Sequence, residues 1–100
     1  MTVPVEHRGQ TFNCTFSFDR EGVIREAFMR STKEGNDFSA LMVDSAIILS
    51  MLLQHGLSMA DMVRALGEDS SGGAQSALGA IARAGAALDQ RSKMVREALE

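Results

Sequence analysis

The segment Thr11-Phe12-Asn13-Cys14-Thr15-Phe16-Ser17-Phe18 alternates polar and apolar side chains without interruption. A strand sends successive side chains to opposite faces, so Phe12, Cys14, Phe16 and Phe18 share one face and Thr11, Asn13, Thr15 and Ser17 the other. A half-buried strand with three Phe on its inner side must be covered by further layers, and this requirement constrains the fold more than any other feature. Asp19-Arg20-Glu21-Gly22 follows as a loop, with Gly22 available for positive φ. Val23 to Arg30 reads as the return strand. Its pattern is mixed: Val23, Ala27 and Met29 share a face with Arg25, and Ile24 and Phe28 share one with Glu26. Upstream, Val3 to His7 offers a third strand through Arg8-Gly9, with Pro4 confining it to an edge.

A polar loop from Ser31 to Asn36 precedes a helix starting near Phe38, capped by Asn36 or Asp37. This helix is apolar on nearly all sides, and its polar members Ser39, Asp44, Ser45, Ser50 and Gln54 form no continuous face. Such a helix is expected to be fully buried. One small sheet cannot cover it, so other helices or another subunit must. Gly56 is its expected stop, with His55 beside the negative end of the helix dipole. Ser58 and Asp61 have capping-box spacing for a second, short helix stopping at Gly67, and Leu57 with Met62 has hydrophobic-staple spacing. Glu68 to Gly73 reads as a flexible loop.

A third helix is expected from Gln75 to about Leu99. Leu78, Ile81, Gly85, Leu88, Ser92, Val95 and Leu99 recur at alternating steps of three and four. Gly85 and Ser92 are small, so Leu78, Ile81, Gly85 and Leu88 would suit a dimer seam, or equally a helix packed on its own domain. The expected architecture is α+β: a two- or three-stranded antiparallel β-meander followed by three helices, the first fully buried. Residues 1–90 form one domain and 91–100 a helical or frayed tail.

The 100 residues carry a net charge of −3, and residues 37–69 hold five acidic side chains against Arg64 alone. Basic residues do not cluster, which disfavours nucleic acid as a partner. The N-terminal residues lack a basic stretch followed by an apolar run, and no segment approaches the roughly 20 apolar residues of a bilayer span. A cytoplasmic location with Cys14 reduced is expected.

Chemistry-bearing residues are few. His7, His55 and Cys14 stand at no metal-ligand spacing, so neither a metal nor a cofactor is expected. Cys14 lies in the Phe stripe and reads as a buried thiol rather than a nucleophile. No nucleophile elbow, phosphate loop or dinucleotide fingerprint is present, and no catalytic residues are assigned. Asp44, on a nearly all-apolar helix, reads as a functional acid, as the partner of Arg25 or Arg64, or as a mark of the helix's wet edge. His55 has no carboxylate to orient it as a base, and a helix C-terminal role suits it better. The seven Met read as core filling or as an adaptable groove.

Several strings recur in a familiar order: Arg25-Glu26-Ala27-Phe28-Met29, then Lys33-Glu34-Gly35-Asn36-Asp37, Asp44-Ser45-Ala46 and Leu53-Gln54-His55-Gly56. Arg64-Ala65-Leu66, Ser76-Ala77-Leu78-Gly79-Ala80 and Gly85-Ala86-Ala87-Leu88-Asp89 complete the set. Over residues 8–89 the chain resembles the TSCPD domain appended to adenosylcobalamin-dependent ribonucleotide reductases, and the stand-alone reductase-like proteins of proteobacteria and prophages. The Thr-Ser-Cys-Pro-Asp string and the paired cysteines of reductase tails are absent. A chain of this length has no room for a reductase barrel, so reductase activity does not carry over. The resemblance implies an α+β module with a ribonucleotide reductase or a phage protein as candidate partner. Two functions follow as expectations. One is a non-catalytic accessory or regulatory interaction module, dimeric. The other is a regulatory domain binding a small molecule or nucleotide near Asp44, Gln54 and His55.

Overall fold

The computed structural model describes residues 1–31 and 37–99. Of the loop expected from Ser31 to Asn36, Ser31 instead ends the third strand, and the rest of it, the Asn36 cap and the Lys33-to-Asn36 part of the resemblance lie outside the described residues. Three strands, β1 (Thr2–His7), β2 (Gln10–Phe18) and β3 (Ile24–Ser31), form an antiparallel meander in the order β1-β2-β3. Three helices follow: α1 (Asp37–Gln54), α2 (Met59–Ala65) and α3 (Ala77–Leu99). The α+β architecture is therefore as the sequence predicts. The β1–β2 turn places Arg8 at φ 49° and Gly9 at φ 81°, the doubly left-handed geometry that suits a two-residue hairpin. Pro4, opposite Asn13, sits on the sheet edge as its missing N–H requires.

Phe12, Cys14 and Phe16 point inward and are essentially inaccessible, as the alternation dictates. The mixed pattern of β3 resolves through a register shift. Ser17 pairs with Glu26 and Phe18 with Ile24, leaving Arg25 as an extra residue. Such a bulge moves the strand from one face to the other. Ile24 thereby joins Ala27 and Met29 inside, although a regular strand would put residues three apart on opposite faces. The extruded Arg25 turns its guanidinium toward the end of α1. Its Nη1 donates to the carbonyls of Leu53 (3.0 Å) and Leu57 (3.2 Å), and its Nε to Asp19 (3.2 Å).

Helix α1 runs along the free edge of β3. The Ala27 N–H donates to Ser50 Oγ (3.0 Å), and the Ser50 hydroxyl donates to the Ala27 carbonyl (3.2 Å). One serine thus satisfies both outward backbone groups of an edge-strand residue that the helix shields from water. Met42, Ala46, Leu49 and Leu53, at helical spacing around Ser50, complete the contact side. The expectation of a fully buried first helix needs correction. Leu41, Ile47, Ile48 and Met51 are each more than half exposed, because the sheet covers only one strip of α1 and α2 and α3 pack elsewhere.

α1 ends in the pattern that glycine permits. Gly56 lies at φ 101°, its N–H donates to Leu53 O, and the Leu57 N–H reaches back to Leu52 O. These are the two bonds of a Schellman cap. The capping box of α2 forms as its spacing predicts: Ser58 Oγ accepts from the Asp61 N–H, and the Asp61 carboxylate accepts from the Ser58 N–H. α2 then packs on α3, which crosses the inner face of the sheet.

Candidate interaction surface

The small-residue stripe of α3 is used inside the domain. Ile81 and Ala82 are fully buried, and Leu78 and Leu88 pack against the core. A Cβ added at Gly85 would collide with the Met59 side chain and lie 3.1 Å from the Phe16 ring. Gly85 is therefore what lets α3 approach both α2 and β2. Further along, Asp89 accepts the Ile24 N–H (2.9 Å) and the Ser92 hydroxyl donates to the Gly22 carbonyl (2.8 Å), tying α3 to the β2–β3 loop. Partial burial pushes the Asp89 carboxyl above its ordinary pKa, against the opposing pull of the Ile24 N–H. The helix continues to Leu99, with Lys93 to Leu99 exposed.

The unpartnered apolar surface is on α1 instead. Leu41, Val43, Ile47, Ile48, Met51 and Leu52 face outward, and Phe28 extends the surface onto the outer face of β3. Scattered exposed apolar side chains are ordinary, whereas these lie along a single helix and the strand beside it. Phe28, Ile47 and Met51 line a shallow groove of about 200 Å³ between β3 and α1, with Gln54 and Glu26 at its rim.

Of the three residues expected at a site, only Gln54 belongs to that groove. Asp44 and His55 lie on the outward side of α1, both exposed, and line none of the described grooves. Eleven residues of helix separate them, about 16 Å at 1.5 Å per residue. Asp44 pairs with neither basic candidate. Arg25 is bound to Asp19, and Arg64 to Asp61 within α2, so the paired reading of Asp44 is corrected to that of an exposed carboxylate. The helix-terminal task expected of His55 falls largely to Arg25, whose planar guanidinium reaches two carbonyls at once.

Elsewhere the chemistry is structural. Burial pushes the Cys14 thiol up to about 11, far from a reactive thiolate. Asp19, Asp61 and Asp69 have carboxyls held below their ordinary range, chiefly by hydrogen bonds with Val23, Ser58 and Ser71 respectively. Each closes a turn or caps a helix. Among the described residues no three His, Cys, Asp or Glu side chains come together as a metal site. No helix among them is long and apolar enough to cross a membrane. An apolar groove of about 430 Å³ lies between Met1, Phe18, Leu88 and Val95, with Arg91 and Arg96 at its rim.

A three-stranded meander with α1 along the edge of β3, α3 across its inner face, α2 packed on α3 and an apolar outer side on α1 makes up a small α+β module. The chain belongs to the TSCPD domain family, whose model matches residues 2–88. The match extends to β1, which the resemblance read from residue 8 onward did not include. No curated protein and no solved structure matches the chain significantly.

Proposed function

We propose that this chain is a non-catalytic accessory or regulatory interaction module, related to the C-terminal domains of ribonucleotide reductases, and that it works as a homodimer. The observation that supports this reading is the outer face of α1. Four of its large apolar side chains stand more than half exposed on a helix whose opposite side is fully packed. An aromatic side chain carries roughly 150–250 Å², and a large aliphatic one is of the same order but smaller. With Phe28, the outward side chains therefore offer on the order of 600 Å² of apolar surface per copy, at the upper end of what a monomer leaves uncovered. Two such faces closing on one another approach the burial of a standard interface.

Sedimentation velocity on the purified chain tests the reading. A dimer at micromolar concentration is expected, and a monomer throughout the accessible range would remove the homodimer. The chain has no Trp or Tyr, so it must be followed by interference optics or peptide absorbance. The resemblance read in the sequence makes a ribonucleotide reductase or a phage protein the first heterologous partner to assay. A nucleotide site at Asp44, Gln54 and His55 is the weaker alternative, since the three line no common cavity.

A further inference from the structure

The outward side of α1 carries more than apolar bulk. Leu41, Asp44, Ile48, Met51 and His55 follow one another at steps of three, four, three and four. At 3.6 residues per turn this spacing forms a single stripe along the helix, opposite the buried strip of Met42, Ala46, Leu49 and Leu53. All five are exposed, and the last helical hydrogen bond, from the His55 N–H to Met51 O (3.1 Å), keeps His55 on the stripe. The side chains of Asp44 and His55 have no partner among the described residues. An acid stands near one end of an apolar seam and an imidazole at the other, both exposed.

The geometry points to a second copy of this chain as the occupant of this stripe, packed antiparallel about a two-fold axis between residues 49 and 50. This inference rests on the homodimer proposed above and adds its register. A two-fold axis there sets residue i opposite residue 99 − i of the other copy. Ile48 then meets Met51 of the other copy, twice, at the centre. Asp44 meets His55 of the other copy, once at each end. The interface is isologous, as closed dimers require. An imidazole donates an N–H to a carboxylate in either protonation state, so each end is a satisfied polar pair bounding an apolar centre.

The alternatives each leave a charge wrongly placed. A parallel pair in register sets Asp44 against its own twin, two carboxylates in a closing apolar seam. Other antiparallel registers along the stripe set Asp44 against its own twin, Leu41, Ile48 or Met51, leaving it without a complement. Among these registers only the one centred between residues 49 and 50 gives both polar residues a complement, and it does so while burying Ile48 and Met51 of both copies.

Sedimentation equilibrium on four forms tests this. The wild-type chain dimerises, and Ile48→Glu is monomeric with its helical circular dichroism retained. Asp44→Arg weakens the dimer by at least about tenfold, and adding His55→Asp to Asp44→Arg recovers most of the loss. A second measurement fixes direction: an equimolar mixture of Ile48→Cys and Met51→Cys chains forms a disulfide-linked heterodimer under mild oxidation faster than either chain links to itself. A monomeric wild type would overturn both this inference and the homodimer. A wild-type dimer insensitive to Ile48→Glu would place the interface elsewhere. A dimer broken by Ile48→Glu but indifferent to Asp44→Arg, or with each cysteine chain linking readily to itself, would keep the α1 interface and overturn the register.

Discussion

Helices α1 and α3 differ in how far their surroundings match what their sequences suggest. α1 is apolar on nearly every side and reads as the most buried element, yet it carries the largest exposed apolar surface. α3 carries a stripe of small residues that suits a seam between subunits or, equally, a helix packed on its own domain, and its close approach is to α2 and β2 of its own domain. The difference teaches that residue type on a helix states how closely it can be approached, not by what. Gly85 admits a neighbour, and Met59 and Phe16 of the same chain fill the space. The outer side chains of α1 call for cover, and the small sheet has only one strip to give.

Adjacent residues of α1 offer the hardest test of this contrast. Leu49 is 3% exposed and Ile48 is 59% exposed. Leu49→Asp forfeits about 1.5–3 kcal/mol of side-chain burial and adds an unpaired buried charge costing several kcal/mol more, against a total stability of about 5–15 kcal/mol. It is expected to give no cooperatively melting protein in thermal denaturation. Ile48→Asp, one residue away, is expected to lose self-association and, at concentrations low enough for both chains to be monomeric, to melt within about 0.5 kcal/mol of the wild type. If Ile48→Asp also failed to fold, α1 would be buried on both sides as the sequence suggests.

Next in size is Gly85→Val. The new side chain has no room between Met59 and Phe16, and overpacking of this kind costs about 1–3 kcal/mol. Chemical denaturation should therefore show a lower midpoint with an unchanged slope. A neutral result together with a lost dimer would return the α3 stripe to a subunit interface.

Ser50→Ala removes the hydroxyl that serves Ala27 on the β3 edge. A buried backbone group left unpaired costs about 1–3 kcal/mol. Hydrogen exchange at Ala27 should accelerate more than at Phe28, whose neighbours in the register are unchanged.

The smallest effect is on pH. The carboxyls of Asp19, Asp61 and Asp69 are lowered in the folded chain by their hydrogen bonds, so the stability they contribute is present above 3.8, their ordinary value, and is lost as pH falls below it. Asp89 is shifted upward and opposes the trend slightly. A melting temperature that declines below about pH 4 and is flat between 5 and 7 is expected. Asp61→Asn should flatten part of the decline.

Much of the fold was legible because local rules carry it. The alternation of Phe12, Cys14 and Phe16 states its own buried face, the Ser58–Asp61 box starts α2 and Gly56 ends α1. Other features depend on distant residues. The inward turn of Ile24 requires the bulge at Arg25, which exists because β2 and β3 pair with a shift at Ser17 and Phe18. The duty of Ser50 is invisible in α1 alone, because its partner Ala27 lies 23 residues earlier in the chain. The candidate surface was half legible. The sequence marked α1 as in need of cover from other helices or another subunit, and marked Asp44 and His55, but not which side of the helix lay open. A finer reading could have separated two apolar strips, one through Met42, Ala46, Leu49 and Leu53 and the other through Leu41, Ile48 and Met51.

The sequence by itself determined the element types, the inner face of β2, the caps of α2 and the stop of α1, because each depends on residues within a few positions of one another. Only the tertiary structure decided which strip of α1 met the sheet and which helix kept its small-residue stripe for itself. Burial depends on which surfaces the folded chain has left to offer. With β3 presenting one edge, α3 engaged on the sheet face and α2 packed on α3, the outward stripe of α1 from Leu41 to His55 was left without a neighbour among the described residues.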